Sequence, residues 1–302
     1  MFLVSTLVWA EMKVWRTHRK TAMRVASWCL AILGLMYLGE RSVTDWLVLS
    51  TTGIEIDVFW WFMTVLSLSA SLLLGGVSWL AVERAVGIKR SWQDGLRAHY
   101  YSNIAKYVPG YAWQALSKAY LLRKASFAPK TIAIAIITEY SLIFFTGSII
   151  IIAFLKPWLA ASILAGVSAY LIFMRGKTIF KVNWLFTGLV FSAIGWVLLG
   201  TAVWALNRAF GVIAFESWSR YVIAFSGSVI LGLLAIGVPN GIGVREAVFL
   251  LLIDNVSRPN SLAISLIGIR IIFFILEILF VGFVRLLLTE GSFKRYPISD
   301  EQ

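Results

Sequence analysis

The sequence is short of charge, of acid, of cysteine and of histidine. Charged residues make up 14% of its 302 positions, against roughly 25% in a soluble domain. A water-soluble globule of this length would need more polar surface than that to cover its core. The single cysteine, Cys29, excludes an internal disulfide and a cysteine-based metal site. Within an apolar run it reads as a small buried hydrophobe. The two histidines, His18 and His99, lie far apart in basic segments and make no metal site. Aspartate is too scarce to suggest a metal-dependent phosphoryl transferase. No His-Glu-x-x-His, Gly-x-Ser-x-Gly or Gly-x-x-x-x-Gly-Lys-Ser/Thr pattern occurs, so no zinc-protease site, nucleophile elbow or nucleotide loop is expected. The sequence calls for no cofactor and no metal.

What is abundant is apolar. Hydrophobic residues are 60% of the chain, with 14 Trp and 10 Tyr. Amphipathic rings of that kind collect at membrane interfaces. Lipid therefore takes the place of the missing polar surface. The expected fold is all-α: a polytopic integral membrane helix bundle. A span needs about 17–25 apolar residues. The candidates are 24–40, 58–82, 131–155, 157–174, 184–206, 219–237 and 261–288. Two stretches are ambiguous: 97–126 is amphipathic, and 242–257 is apolar but short for a crossing.

The net charge of +12 does not indicate nucleic acid, because the cations lie between apolar runs and not on a soluble module. They read as loops facing anionic headgroups. Lys and Arg concentrate in 1–24, 83–130 and 175–183 and are sparse in 40–57 and 207–220. That alternation predicts a multi-pass protein with its N-terminus in the cytoplasm and 83–130 and 175–183 on the same side. In the first segment, Met1 to Ala10 is apolar and the cations follow it, the reverse of a signal peptide; it reads as interfacial or partly inserted. No linker or low-complexity run divides the chain. One transmembrane domain over 1–302 is expected, with a basic segment at 1–23, a cytoplasmic amphipathic or re-entrant region at 83–130 and a short tail at 289–302.

The chain also contains an internal repeat at an offset of 130 positions. Val108-Pro109 matches Val238-Pro239, Leu121-Leu122 matches Leu251-Leu252, and Pro129 matches Pro259. Ala133-Ile134, Ile137 and Phe144 continue the match with Ala263-Ile264, Ile267 and Phe274. Each Val-Pro-(Gly/Asn) breaks a helix, since Pro removes a donor and Gly or Asn permits a sharp turn. A short helix follows. The second Pro then sits in the first turn of a long helix, where its missing N–H costs nothing. The unit is a broken helix, a short helix, a turn and a long helix. A break at membrane depth must face protein or a watery cavity, and paired breaks point to a substrate site where the repeats meet. The plainer alternative is two prolines that end helices near the surface. If both segments are re-entrant hairpins, the repeats are inverted; if both cross fully, the chain has two further spans.

Two segments and three buried charges are the candidate site. Gly237-Val-Pro239-Asn-Gly241-Ile-Gly243-Val-Arg245-Glu246 carries three glycines that let backbone approach a ligand closely. A helix starting near Val244 would favour an anion at its N-terminus. Arg245 would pair with a phosphate or a carboxylate, or else snorkel to the headgroups. Lys106-Tyr-Val-Pro109-Gly110-Tyr-Ala-Trp113 sets a cation and aromatics around the other turn, suited to headgroup contact or interface anchoring. Glu139, Arg270 and Glu277 fall inside spans, where charges usually face the bundle interior in pairs. Arg270 and Glu277 share one helical face. Glu139 and Arg270 fall one position apart in the repeat, which suggests a cross-repeat ion pair.

These two motifs, Lys106 to Trp113 and Val238 to Glu246, resemble the paired signatures of the lysylphosphatidylglycerol synthase transmembrane family, also called flippase-like. The similarity spans about 24–288. Where members often have Pro-Gly-Gly, this chain has Pro239-Asn240-Gly241, a conservative change because Asn also tolerates positive φ. The resemblance implies a bacterial or archaeal cytoplasmic (inner) membrane protein of cell-envelope biogenesis that translocates or binds an anionic or glycosylated lipid, either a phospholipid or a polyprenyl-phosphate-linked intermediate. It implies membrane lipids as partners, with envelope glycosyltransferases as a further class. The 302 residues carry no synthase domain, so aminoacyl transfer is not expected of them. Two other readings stand beside it. One is a membrane-embedded transferase on a lipid-linked sugar, using Glu139 and Glu246. The other is a non-transporting scaffold for envelope glycosyltransferases.

Overall fold

The computed structural model describes residues 36, 40, 43, 56–107, 113–173, 180–211, 218–235, 241, 243–253 and 262–287. Among them there is helix and no strand. The chain is an all-α membrane bundle, and four helices are long and apolar enough to cross a bilayer. In order the elements are α1 (Val58–Ala85), α2 (Trp92–Ile104) ending in a 3-10 turn (Ala105–Tyr107), α3 (Trp113–Lys124), α4 (Pro129–Leu155), α5 (Pro157–Phe173), α6 (Val182–Ala209), α7 (Trp218–Leu234), α8 (Val244–Ile253) and α9 (Leu262–Leu287).

Helix ends follow local chemistry. Asp57 caps α1, accepting from the N–H groups of Phe59 at 3.0 Å and Trp60 at 3.4 Å. Ser91 caps α2 by accepting from Asp94 N at 3.2 Å. Pro129 stands in the first turn of α4, as the repeat predicts. The expected spans at 58–82, 131–155, 157–174, 184–206 and 261–288 each coincide with a helix to within a few residues. The one expected over 219–237 is a 17-residue helix, α7. The one expected over 24–40 lies outside the described residues but for 36 and 40.

Helices α1 and α6 form the most extensive packing in the bundle. They run antiparallel. Asp57 N donates to Ala209 O at 2.9 Å at one end, and Lys181 N donates to Ala85 O at 2.8 Å at the other. The two cation-rich segments expected on one side of the membrane therefore meet at one end of the bundle. Lipid gives no hydrophobic force between helices, so close packing and interhelical hydrogen bonds hold them. Ser78 Oγ donates to Gly188 O at 3.1 Å between α1 and α6. At Gly200 a Cβ would lie 2.5 Å from Val222 Cα, so only glycine lets α6 and α7 approach this closely. On α4, Thr146 Oγ1 accepts from Trp196 Nε1 of α6 at 3.1 Å. Outward side chains such as Val58, Leu155, Phe173 and Leu286 are exposed apolar groups that lipid would cover.

The repeat is plain in the architecture. Each half is a long helix, a hairpin of two short helices and another long helix: α1 to α4, then α6 to α9. The equivalent helices α1 and α6 are antiparallel, so the halves are inverted. The contacts cross over. Helix α4 packs on α7 of the other half, and α9 packs on α2.

Both hairpins turn back partway along the long helices. In the first, Gly95 lies against Leu80 and Glu83 near the end of α1. One and a half turns on, Tyr100 Oη donates to Leu72 O at 3.1 Å. Helix α3 then returns, and its Leu122 is buried in the same cluster as Val82, Val86 and Ile88. The first hairpin thus starts and ends beside one end of α1. The second starts near the opposite end of α6, where Trp218 Nε1 donates to Thr201 Oγ1 at 3.0 Å. Helix α8 comes back along α7, with Gly232 against Arg245 near the turn and Gly227 near Leu252 beyond it.

Candidate functional site

The two hairpins enter from opposite ends, and described residues from both line a cavity of about 150 Å³ in the middle of the bundle. The first contributes Lys106 and Tyr107; the second contributes Arg245 and Glu246. Arg270 closes one side from α9, and Leu68 of α1 and Leu199 of α6 form the floor. Phe225, Phe249 and Phe273 supply aromatic walls, with Ser228 among them.

Backbone geometry explains the second turn. Gly241 has φ +65° and Gly243 φ +84°, a region that costs other L-residues about 1–2 kcal/mol. A Cβ on Gly241 would also lie 2.8 Å from the backbone of Gly232. Gly232 in turn leaves room for the Arg245 stem, since a Cβ there would come within 2.1 Å of Arg245 Cγ. These glycines therefore serve to seat Arg245 against α7. The start of α8 differs from the expected anion site. Gly243 N donates to Glu246 Oε2 at 2.8 Å, a capping arrangement in which the helix supplies its own anion.

Buried charges are paired, but not all as the repeat alignment suggests. Glu246 also forms an ion pair with Arg270. Glu277, 1% exposed, accepts from Lys106 Nζ at 2.6 Å. Glu139 does not reach Arg270: Lys118 Nζ binds both its oxygens at 2.6 and 2.7 Å. Glu139 and Arg270 hold nearly equivalent positions of the repeat, on α4 and α9, and neither partners the other. Each instead pairs within its own half, short helix to long helix, with the charges exchanged: Lys118 to Glu139 in one half, Glu246 to Arg270 in the other.

Around the cavity itself stand three cations (Lys106, Arg245 and Arg270) and one carboxylate, Glu246, with Glu277 just behind Lys106. The described charges leave an excess of one positive. Nη2 of Arg270 is buried and has no hydrogen-bond partner, a donor that a ligand oxygen would satisfy. Lys106 Nζ sits 4.8 Å from the Phe273 ring centre and 5.2 Å from that of Tyr107.

Of the residues singled out in the sequence, Lys106, Arg245, Glu246 and Arg270 line the cavity. Gly241, Gly243 and Glu277 support it from behind. Trp113 begins α3 and is 45% exposed, away from the cavity. Glu139 belongs to a separate buried cluster with Lys118 and His99, whose Nδ1 lies 3.7 Å from Glu139 Oε1. Pro109, Gly110 and Pro239 lie outside the described residues. Sequence reasoning missed Lys118, counted there among loop cations, although it is 1% exposed and stacks on Trp79 at 3.9 Å. It also passed over the phenylalanine walls, which no pattern separates from lipid-facing apolar residues. Among the described residues no group of three His, Cys, Asp or Glu side chains is placed to hold a metal. In comparisons with known proteins, no family model matches the chain and no curated protein matches it.

Proposed function

We propose that this is a lipid-handling membrane protein that binds the phosphate of an anionic or glycosylated lipid between its two hairpins and passes it between leaflets. The observation that carries this reading is the meeting, midway along the bundle, of two hairpins from opposite ends around a cavity with three cations. Inverted repeats with broken helices are a recurrent architecture for alternating access. The cavity's three cations suit a phosphate, the group that phospholipids and polyprenyl-phosphate carriers share. Arg270 and Arg245 bind its oxygens, Lys106 contributes charge, and the phenylalanines shield the site from acyl chains. The sequence resemblance to the flippase-like family favours the same reading, and the setting proposed with it is a cytoplasmic membrane with the N-terminus inside.

The test is lipid translocation in vesicles. Purified protein reconstituted with a fluorescent anionic phospholipid, or with a labelled polyprenyl phosphate, is expected to expose inner-leaflet label to a membrane-impermeant quencher. Arg245→Ala and Arg270→Gln should slow this at least about tenfold, since each removes a charge-assisted bond. Rates equal to those of protein-free vesicles, or unchanged in both variants, would sink the proposal.

A further inference from the structure

A second cavity, of about 430 Å³, lies where α1 ends and α6 begins. Arg84, Lys89, Arg90 and Lys181 line it together with Trp184, and no carboxylate is among its described lining residues. Glu83 lies behind it and is committed to Arg90, with which it forms a buried ion pair. Arg84, Lys89 and Lys181 have no carboxylate partner among the described residues. Arg84 instead stacks over the Trp184 ring at 4.9 Å. Three like charges thus stand around one concave surface, where the Lys181 N to Ala85 O bond joins the two helix ends.

Depth identifies the occupant. Helices α1 and α6 have 28 residues each, so at 1.5 Å per residue they are about 42 Å long. That matches a bilayer with its headgroup layers, about 40–45 Å, and exceeds the hydrocarbon core of about 30 Å. Their ends stand at headgroup level. Trp184, 37% exposed, is the kind of ring that settles there. Basic pockets between spanning helices at that depth bind anionic headgroups.

We propose that this cavity is a resident site for the phosphodiester headgroup of an anionic phospholipid from the leaflet at this end. It is separate from the central cavity and independent of the translocation reading. The experiment uses full-length protein in nanodiscs of phosphatidylcholine with a small fraction of phosphatidylglycerol, with native mass spectrometry counting retained lipids. The expected result is preferential retention of phosphatidylglycerol. It should fall about fivefold for each cation removed in Arg84→Gln and Lys181→Gln. Arg84→Lys should retain most of it, which separates loss of charge from loss of fold. Arg220→Gln, a cation at the opposite end, should change nothing. No preference in the wild type, or equal losses from Arg220→Gln and the two site variants, overturns the proposal. Displacement of the lipid by millimolar inorganic phosphate would make it a site for soluble phosphate and overturn the lipid assignment.

Discussion

Lys106 Nζ donates to Glu277 Oε1 at 2.6 Å across 171 positions of sequence. The bond ties the turn of the first hairpin to the last helix of the second half, and Tyr107 reinforces it edge-on against Phe274 at 4.7 Å. One wall of the central cavity is therefore shared between the repeats. Any motion that opens the cavity toward the first hairpin must break or carry this pair.

Its energetics can be measured. Removing one member of a buried ion pair strands the other and costs about 3–5 kcal/mol, whereas removing both costs far less. Lys106→Met and Glu277→Gln are each expected to lower thermal stability in detergent more than the double variant does. A double-mutant cycle followed by tryptophan fluorescence measures the coupling. Strictly additive losses would contradict a direct pair.

The architecture was largely legible in the sequence, because its signals are one-dimensional. Span length reads from apolar runs, and the repeat, though not its inversion, from Val108-Pro109 and Val238-Pro239 with Pro129 and Pro259 twenty positions on. Of the cavity residues, Arg270 was legible as a charge that hydrocarbon would penalise, and Lys106, Arg245 and Glu246 as parts of the two turn motifs. Pairing was not legible. Lys118 counts as a loop cation until α3 is known to fold back against α4, and only then does Glu139 have a partner other than Arg270. The capping of Gly243 by Glu246 was equally hidden, since a carboxylate three positions into a helix reads as ligand or cap with equal ease.

The glycines that seat Arg245 make a sharper prediction than Arg245 itself. Gly232→Ala puts a Cβ within 2.1 Å of Arg245 Cγ, and Gly241→Ala combines a positive φ with a 2.8 Å approach to backbone. The flexible arginine can swing aside, so Gly232→Ala should fold and lose lipid translocation. Backbone cannot yield so cheaply, so Gly241→Ala should lose stability by at least about 1–2 kcal/mol. Thermal unfolding and translocation measured on both separate the two effects. Equal behaviour of the two variants would mean that these contacts do not position Arg245.

Hairpins that turn back, rather than cross, fix which cations share a side of the membrane. Lys89 precedes the first hairpin and Lys124 ends it, and both are exposed. Leu122 and Ile88 are buried in one cluster, so both lysines lie at the same end of the bundle. Exposed Arg220, in the first turn of α7, lies at the other end. With Cys29, the sole native cysteine, replaced by serine, single cysteines at 89, 124, 181 and 220 can be labelled in intact cells and in inverted vesicles. Positions 89, 124 and 181 are expected to react from the cytoplasmic side with a membrane-impermeant maleimide, and position 220 from the opposite side. Labelling of 89 and 124 from opposite sides would show that the first hairpin crosses the bilayer. The two turns could then no longer approach one cavity from opposite faces, and alternating access about that cavity would lose its structural basis.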